Sequence, residues 1–289
     1  MKPAWSPAIV MYCMTTALSP AQPVAKVEST VDVPGARLVV SSWGAGEPVV
    51  ALPGRGLDTN WFGAVAPRIA ASGYRVIAIN PRGVGGSTGS LAQFDIDSYV
   101  GDIVAAMDAM QLERVHLIGW ALGNRVARAA AVALPRRVET VTLLAAGGKF
   151  PSLPPSAELK GSLARWRSDP KRIASLERYL GLFSPHSNPW PLLHGADVRV
   201  WPEAAKAQSP VARAPLERWW SGGEKPMLVI QGLDDITAPP ANGRDLRREF
   251  PARVELVELE RAGHALLLER PGEIAVAVVR FLKAHRLRP

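Results

Sequence analysis

The stretch that decides the fold is Val115-His116-Leu117-Ile118-Gly119-Trp120-Ala121-Leu122-Gly123-Asn124. Its first half is typical of a buried β-strand, and an alanine-rich helical pattern follows it as far as Leu134. Gly119 and Gly123 flank the junction, where a sharp turn would bring backbones too close for a Cβ atom at either position. The segment therefore predicts a strand, a tight turn centred on Ala121, and a helix.

The same alternation of elements extends along the chain from residue 38. Short β-rich runs, several of them continuously apolar, alternate with segments whose apolar residues recur at helical spacing. The predicted strands are Leu38–Trp43, Val49–Leu52, Arg75–Asn80, Val115–Gly119, Thr140–Ala145, Met227–Gln231 and Arg253–Leu259. The predicted helices are Phe62–Ser72, Ile96–Gln111, Leu122–Leu134, Ala241–Phe250 and Glu273–His285. This order predicts an α/β fold with a doubly wound, mostly parallel sheet.

The alternation stops between residues 150 and 221. Proline, tryptophan and arginine are frequent in this segment, and it contains helical patterns at Leu159–Arg167 and Lys171–Leu180. A loop of this length is improbable in a compact domain unless it has structure of its own. We therefore expect a helical cap at 150–221, inserted in a core formed by residues 22–149 and 222–289.

Composition excludes several classes of protein. The chain has 289 residues, 47% of them hydrophobic and 21% charged, which excludes intrinsic disorder. The formal net charge of +8 is spread along the chain without a nucleic-acid-binding motif, which favours a solvated basic surface over a nucleic-acid interface. One cysteine excludes an intrachain disulfide and a cysteine-based zinc site, and the five histidines lack metal-binding spacing. We expect a small-molecule substrate or ligand, no cofactor and no metal; the oligomeric state stays open.

Three more motifs follow predicted strands. Pro53-Gly54-Arg55-Gly56 is a glycine-rich turn after the second predicted strand, Val49–Leu52. Two adjacent carboxylates, Asp234 and Asp235, lie between Gly232 and Pro239, and about thirty residues later His264 lies between a strand end and a helix start.

These motifs, in this order, resemble the α/β-hydrolase superfamily from about residue 38 to residue 285. The resemblance implies the α/β-hydrolase fold and places Ala121 at the position of the nucleophile. It assigns the acid to Asp235, third after Gly232 and fourth before Pro239, and leaves Asp234 as a loop or capping carboxylate. It also implies the remaining site residues: His264 as the base, the backbone N–H groups of Arg55 and Leu122 as the oxyanion hole, and Trp120 in the substrate pocket.

Ala121 departs from the family pattern because a methyl group cannot attack a substrate. Three accounts remain open: an engineered Ser→Ala inactive variant, an enzyme that uses His264 and Asp235 as a general base, and a fold that lost catalysis and binds or senses a ligand. The hydroxyls of Thr59 and Ser87 are weaker candidates for a replacement nucleophile, because their loops lack the strand-to-helix turn. We expect a hydrolase of esters or related bonds in small, apolar substrates.

The N-terminal segment resembles a secretory signal. Lys2 precedes an apolar stretch at 7–18, and Ser19-Pro20-Ala21 is a small-x-small cleavage pattern. The stretch is too short to cross a bilayer as a helix. We expect residues 1–21, which include Cys13, to be removed and the protein to be periplasmic or secreted; without cleavage it would be cytoplasmic.

Expression in a native-like bacterial host tests this expectation. The exported protein should begin at or near Gln22. Intact-mass spectrometry of the purified protein would show the loss of Met1–Ala21, and a mass that retains these residues would contradict the prediction.

Overall fold

A computed structural model describes residues 24–287, so the expected signal segment and Cys13 lie outside the described residues. Its centre is an eight-stranded sheet in the order β1-β2-β4-β3-β5-β6-β7-β8. The first three strands in this order pair antiparallel, and all other neighbours pair parallel. The strands are β1 (Lys26–Val33), β2 (Ala36–Trp43), β3 (Glu47–Leu52), β4 (Tyr74–Ile79), β5 (Val115–Trp120), β6 (Val138–Leu144), β7 (Met227–Gly232) and β8 (Val254–Leu259).

All seven predicted strands are present, with ends within two residues of the predicted ones. One strand was not predicted: β1, which pairs with β2 along its whole length. Only Val31 and Val33 are buried in this strand. An edge strand that is mostly exposed lacks the continuous apolar run by which the central strands were found.

Helices cover both faces of the sheet. They are α1 (Ala66–Ala70), α2 (Ile96–Ala109), α3 (Leu122–Ala133), α4 (Ala157–Arg167), α5 (Pro189–Gly195), α6 (Pro202–Ala207), α7 (Ser209–Ala212), α8 (Ala241–Glu249), α9 (Leu266–Glu269) and α10 (Pro271–Ala284). Side chains such as Val50 and Ile77 pack toward α2 and α3. Their neighbours Ala51 and Val76 pack toward α1 and α10. The doubly wound, mostly parallel α/β fold is therefore confirmed.

Two predicted helices differ in form. In place of a helix at Phe62–Ser72, the chain forms a 3₁₀ turn at Thr59–Phe62 and the short α1. Pro67 explains the break, because proline lacks an N–H donor and fits only the first turn of a helix. The helix expected at Lys171–Leu180 is a 3₁₀ segment at Ala174–Leu182.

Residues 150–221 lie between β6 and β7 and contain α4 to α7 with 3₁₀ segments at Ala174–Leu182 and Leu216–Arg218. An isolated β-bridge joins Val200 to Leu57 in the core. The last part of this segment packs on the α3 face of the sheet, where Trp219 and Trp220 enclose the guanidinium of Arg128. Burial lowers the pKa of Arg128 to about 9. None of the helices in the described part of the chain combines the length and apolarity needed to cross a bilayer.

Backbone contact fixes the junction of β5 and α3. A Cβ atom added at Gly123 would lie 2.1 Å from the carbonyl oxygen of Leu52 at the end of β3. A Cβ atom at Gly119 would lie 2.4 Å from the carbonyl oxygen of Gly123. Only glycine permits this approach, and α3 therefore begins directly against the carboxyl ends of the central strands.

Substitution of Gly123 by alanine should destabilise the fold by roughly 2 kcal/mol, because the methyl group meets rigid backbone. Gly101→Ala is the matched control: Gly101 lies in α2 with nothing within 4 Å of an added Cβ atom. That change should stabilise the protein by roughly 0.5–1 kcal/mol through helix propensity. Chemical denaturation of both variants measures the difference; a Gly123→Ala protein as stable as wild type would contradict the packing described here.

Candidate active site

The turn between β5 and α3 carries backbone strain at its centre. Ala121 has φ +52° and ψ −111°, a conformation that residues with a side chain rarely adopt. Its N–H donates to the carbonyl oxygen of Leu144 on the neighbouring strand, and its own carbonyl oxygen accepts the N–H of Asn124. The fold thus keeps a strained turn at a position where the side chain is a methyl group.

His264 and Asp235 form a buried hydrogen-bonded pair. Nδ1 of His264 lies 2.8 Å from Oδ2 of Asp235, and the two residues are 6% and 1% exposed. The other carboxylate oxygen, Oδ1, accepts the N–H groups of Thr237 (2.9 Å) and Ala238 (2.8 Å). A carboxylate held in this way favours the imidazole tautomer with its proton on Nδ1, which leaves Nε2 free to accept a proton.

The backbone around His264 is held from several sides. The indole N–H of Trp120 donates to the carbonyl oxygen of His264 at 2.9 Å. The N–H of Gly263 donates to Oε2 of Glu269 at 2.8 Å, and the N–H of Ala265 donates to the carbonyl oxygen of Leu182. Contacts from the core and from residues 150–221 therefore both fix the backbone at His264.

Glu269 connects the histidine loop to the inserted segment. Its Oε1 accepts the N–H of Ser184 at 2.8 Å, while Oε2 accepts the N–H of Gly263. Burial raises the pKa of this carboxyl group. Glu269 was not predicted as a site residue, because a glutamate at the end of a short apolar helical run has the pattern of an ordinary helix-end residue.

The partners of Asp234 differ from those of Asp235. Its Oδ2 accepts the hydroxyl of Ser184 at 2.5 Å, and its N–H donates to the carbonyl oxygen of Ala262. The two adjacent aspartates thus have separate partners: Asp235 contacts the imidazole, whereas Asp234 contacts the inserted segment.

A cavity of about 560 Å³ lies at the carboxyl ends of the central strands. Of the predicted site residues, Arg55, Trp120, Ala121, Leu122 and His264 line it, and Asp235 lies behind His264. The structure adds lining residues that the sequence analysis did not identify: Leu57, Arg125, Ala145, Gly147, Ser152, Arg178, Tyr179, Leu182, Ala205, Ala212, Thr237 and Ala238. Arg125 could have been found, because helical spacing places it on the same face of α3 as Leu122. Arg178 and Tyr179 come from the inserted segment, and no local sequence pattern marks them as site residues.

The two predicted oxyanion donors both border this cavity. Leu122 is the first residue of α3, so its N–H has no acceptor within the helix and lies at the positive end of the helix dipole. Arg55 lies in the turn after β3, and Oε1 of Gln208 fixes this turn by accepting the N–H of Gly56 at 2.8 Å. Residues from two elements, Arg55 and Leu122, thus line the same cavity as Ala121.

The alternative hydroxyls have structural partners. The Thr59 hydroxyl lies 2.8 Å from that of Ser41, and the Ser87 hydroxyl donates to the carbonyl oxygen of Asn80 at 2.9 Å. Neither residue lines the cavity. Within residues 24–287 there is also no cluster of three or more His, Cys, Asp or Glu side chains that could hold a metal ion.

Comparison with known proteins agrees with this architecture. Residues 47–176 match the family described as the alpha/beta hydrolase fold. The 2-hydroxymuconate semialdehyde hydrolase of a Pseudomonas species is 30% identical over 270 residues, which cover 86% of this chain and 91% of that protein. The rhodomycin D methylesterase of Streptomyces peucetius is 25% identical over 277 residues, with 83% and 92% coverage.

Solved structures show the same fold. An esterase from Exiguobacterium antarcticum superposes with a TM-score of 0.72 at 20% sequence identity, covering 89% of this chain and the whole of that one. The sheet order, the matched family and the extent of the similarity to its relatives lead to one conclusion: this chain belongs to the α/β-hydrolase fold family.

Proposed function

We propose that this protein is a hydrolase that cleaves ester or related bonds in small, apolar substrates, with His264 as its general base. The observation that carries the proposal is the 2.8 Å hydrogen bond from buried His264 to Asp235, beside the cavity that Ala121 also lines. The relatives support the reaction class, since they include a methylesterase and a semialdehyde hydrolase.

In this proposal the strained turn at Ala121 is a nucleophile elbow without a nucleophile. A methyl group offers neither a lone pair nor an acidic proton, so water takes the place of the missing hydroxyl. Nε2 of His264 accepts a proton from water as the water oxygen bonds to the substrate carbonyl carbon. The carbonyl π electrons move onto the oxygen, where the N–H groups of Leu122 and Arg55 stabilise the developing negative charge.

Collapse of this tetrahedral intermediate completes the reaction. The carbonyl re-forms, the bond to the alcohol oxygen breaks, and the leaving oxygen takes the proton from Nε2 of His264. Asp235 keeps the ring in the required tautomer and stabilises the imidazolium between the two proton transfers. Ester and water give acid and alcohol, and no covalent bond to the protein forms.

A second function is favoured by Ala121 itself. The fold can bind a small apolar ligand in the same cavity without turning it over, as a sensing or carrier protein would. An enzyme inactivated by a Ser→Ala substitution would behave in the same way. Measured hydrolysis of a substrate separates the alternatives: the hydrolase proposal requires it, and the other two exclude it.

Neutralisation of Asp235 should slow hydrolysis strongly. We expect Asp235→Asn and His264→Ala to lower kcat/KM by roughly 10²–10⁴, because each removes the oriented general base. Asp234→Asn is the matched control: it changes the adjacent carboxylate, which contacts Ser184 and not His264, and should change the rate only slightly. Steady-state kinetics on a panel of small esters, beginning with the wild-type protein, measures the effect.

Melting temperatures of the three variants separate lost catalysis from lost folding. If the folded Asp235→Asn and His264→Ala proteins hydrolyse esters at the wild-type rate, the active site lies elsewhere. A wild-type protein that binds apolar esters but hydrolyses none would contradict the hydrolase proposal and support the ligand-binding alternative.

A further inference from the structure

The cavity wall carries positive charge without negative charge. Three arginines, Arg55, Arg125 and Arg178, line the cavity, and its described lining residues include no aspartate or glutamate. Asp235, the nearby buried carboxylate, is already engaged by His264 and two backbone N–H groups. The cavity therefore presents positive charge that the residues lining it do not neutralise.

The guanidinium groups of the three arginines differ in their contacts. Arg125 lies over the ring of Trp219 at 4.9 Å and donates to the carbonyl oxygen of Ala212. Arg55 and Arg178 are exposed, and no residue in the described part of the chain forms a hydrogen bond or an ion pair with either guanidinium. Elsewhere in that part of the chain arginines commonly have a carboxylate partner, as Arg82 has in Asp102.

The arginines are close enough to influence one another and a shared neighbour. Burial and the charge of Arg55 lower the pKa of Arg125. Burial raises the pKa of Tyr179, while the charges of Arg178 and Arg55 oppose that increase. Arg55, in the core, and Arg178, in the inserted segment, thus both act on Tyr179 in the cavity wall, and their like charges repel in the absence of an anion.

We propose that this cavity binds substrates that carry a carboxylate, with Arg55 and Arg178 as the groups that bind it. Guanidinium groups match the geometry of carboxylates and form charge-assisted hydrogen bonds with them. Leu57, Trp120 and Leu182 supply an apolar wall for the rest of the molecule. The inference rests on the proposed function in treating the bound molecule as a substrate, and it narrows the substrate class from neutral apolar esters to esters of organic acids with a free carboxylate.

Binding of a matched ligand pair tests the inference without requiring turnover. Monomethyl adipate and dimethyl adipate share one chain and one type of ester, but only the first carries a carboxylate. Isothermal titration calorimetry at neutral pH should show tighter binding of monomethyl adipate by the wild-type protein. Arg178→Gln should weaken that binding by about three- to tenfold and leave dimethyl adipate unaffected. Added salt should reduce the preference, because it screens charges at an exposed site.

Arg136→Gln is the control for net charge, since Arg136 is exposed beyond the far end of α3 and does not line the cavity. It should leave both affinities unchanged. Equal binding of the two ligands by wild type, or equal weakening by Arg136→Gln and Arg178→Gln, would overturn the inference. If the protein prefers the carboxylate ligand but hydrolyses no ester, the carboxylate site stands and only the hydrolase proposal fails. If it hydrolyses esters but binds the two ligands equally, the carboxylate site fails and the hydrolase proposal stands.

Discussion

The backbone contact between Gly123 and the end of β3 is the constraint on which the site depends. With no Cβ atom at residue 123, α3 begins against the carbonyl oxygen of Leu52. The chain must then turn sharply from β5 into α3, and this turn holds Ala121 at φ +52°. The same approach brings the start of α3 against Pro53, at the beginning of the turn that contains Arg55. One close contact thus sets the strained residue and the proposed oxyanion donors together.

The second half of the site depends on how the buried charge of Asp235 is compensated. Two backbone N–H groups and one imidazole surround its carboxylate, so the cost of removing the charge from water is offset by hydrogen bonds. The backbone around His264 is in turn held by Trp120 from the core and by Leu182 from the inserted segment. These contacts orient the imidazole without a serine hydroxyl, as the proposed general base requires.

Sequence periodicity predicted the sheet and most helices of the core because buried parallel strands are continuously apolar. It failed at β1, whose exposed face carries polar residues, and at the helix expected near Phe62, where Pro67 interrupts the chain. Residues named from the family order in the sequence do come together around one cavity. Arg178 and Tyr179, which were missed, reach the site only through packing of the inserted segment, and local sequence patterns carry no information about such contacts. Glu269 follows His264 closely in the chain, but its role was missed because its contact with Ser184 depends on the same packing.

We propose that the active site is fully assembled apart from its nucleophile. Labelling with a fluorophosphonate probe, which reports activated serine, tests it most directly when wild type is compared with Ala121→Ser. Wild type should remain unlabelled, and Ala121→Ser should be labelled at residue 121 only while His264 is present, so that adding His264→Ala abolishes the signal. A folded Ala121→Ser protein that resists labelling would contradict the claim, as would labelling of wild type at another residue.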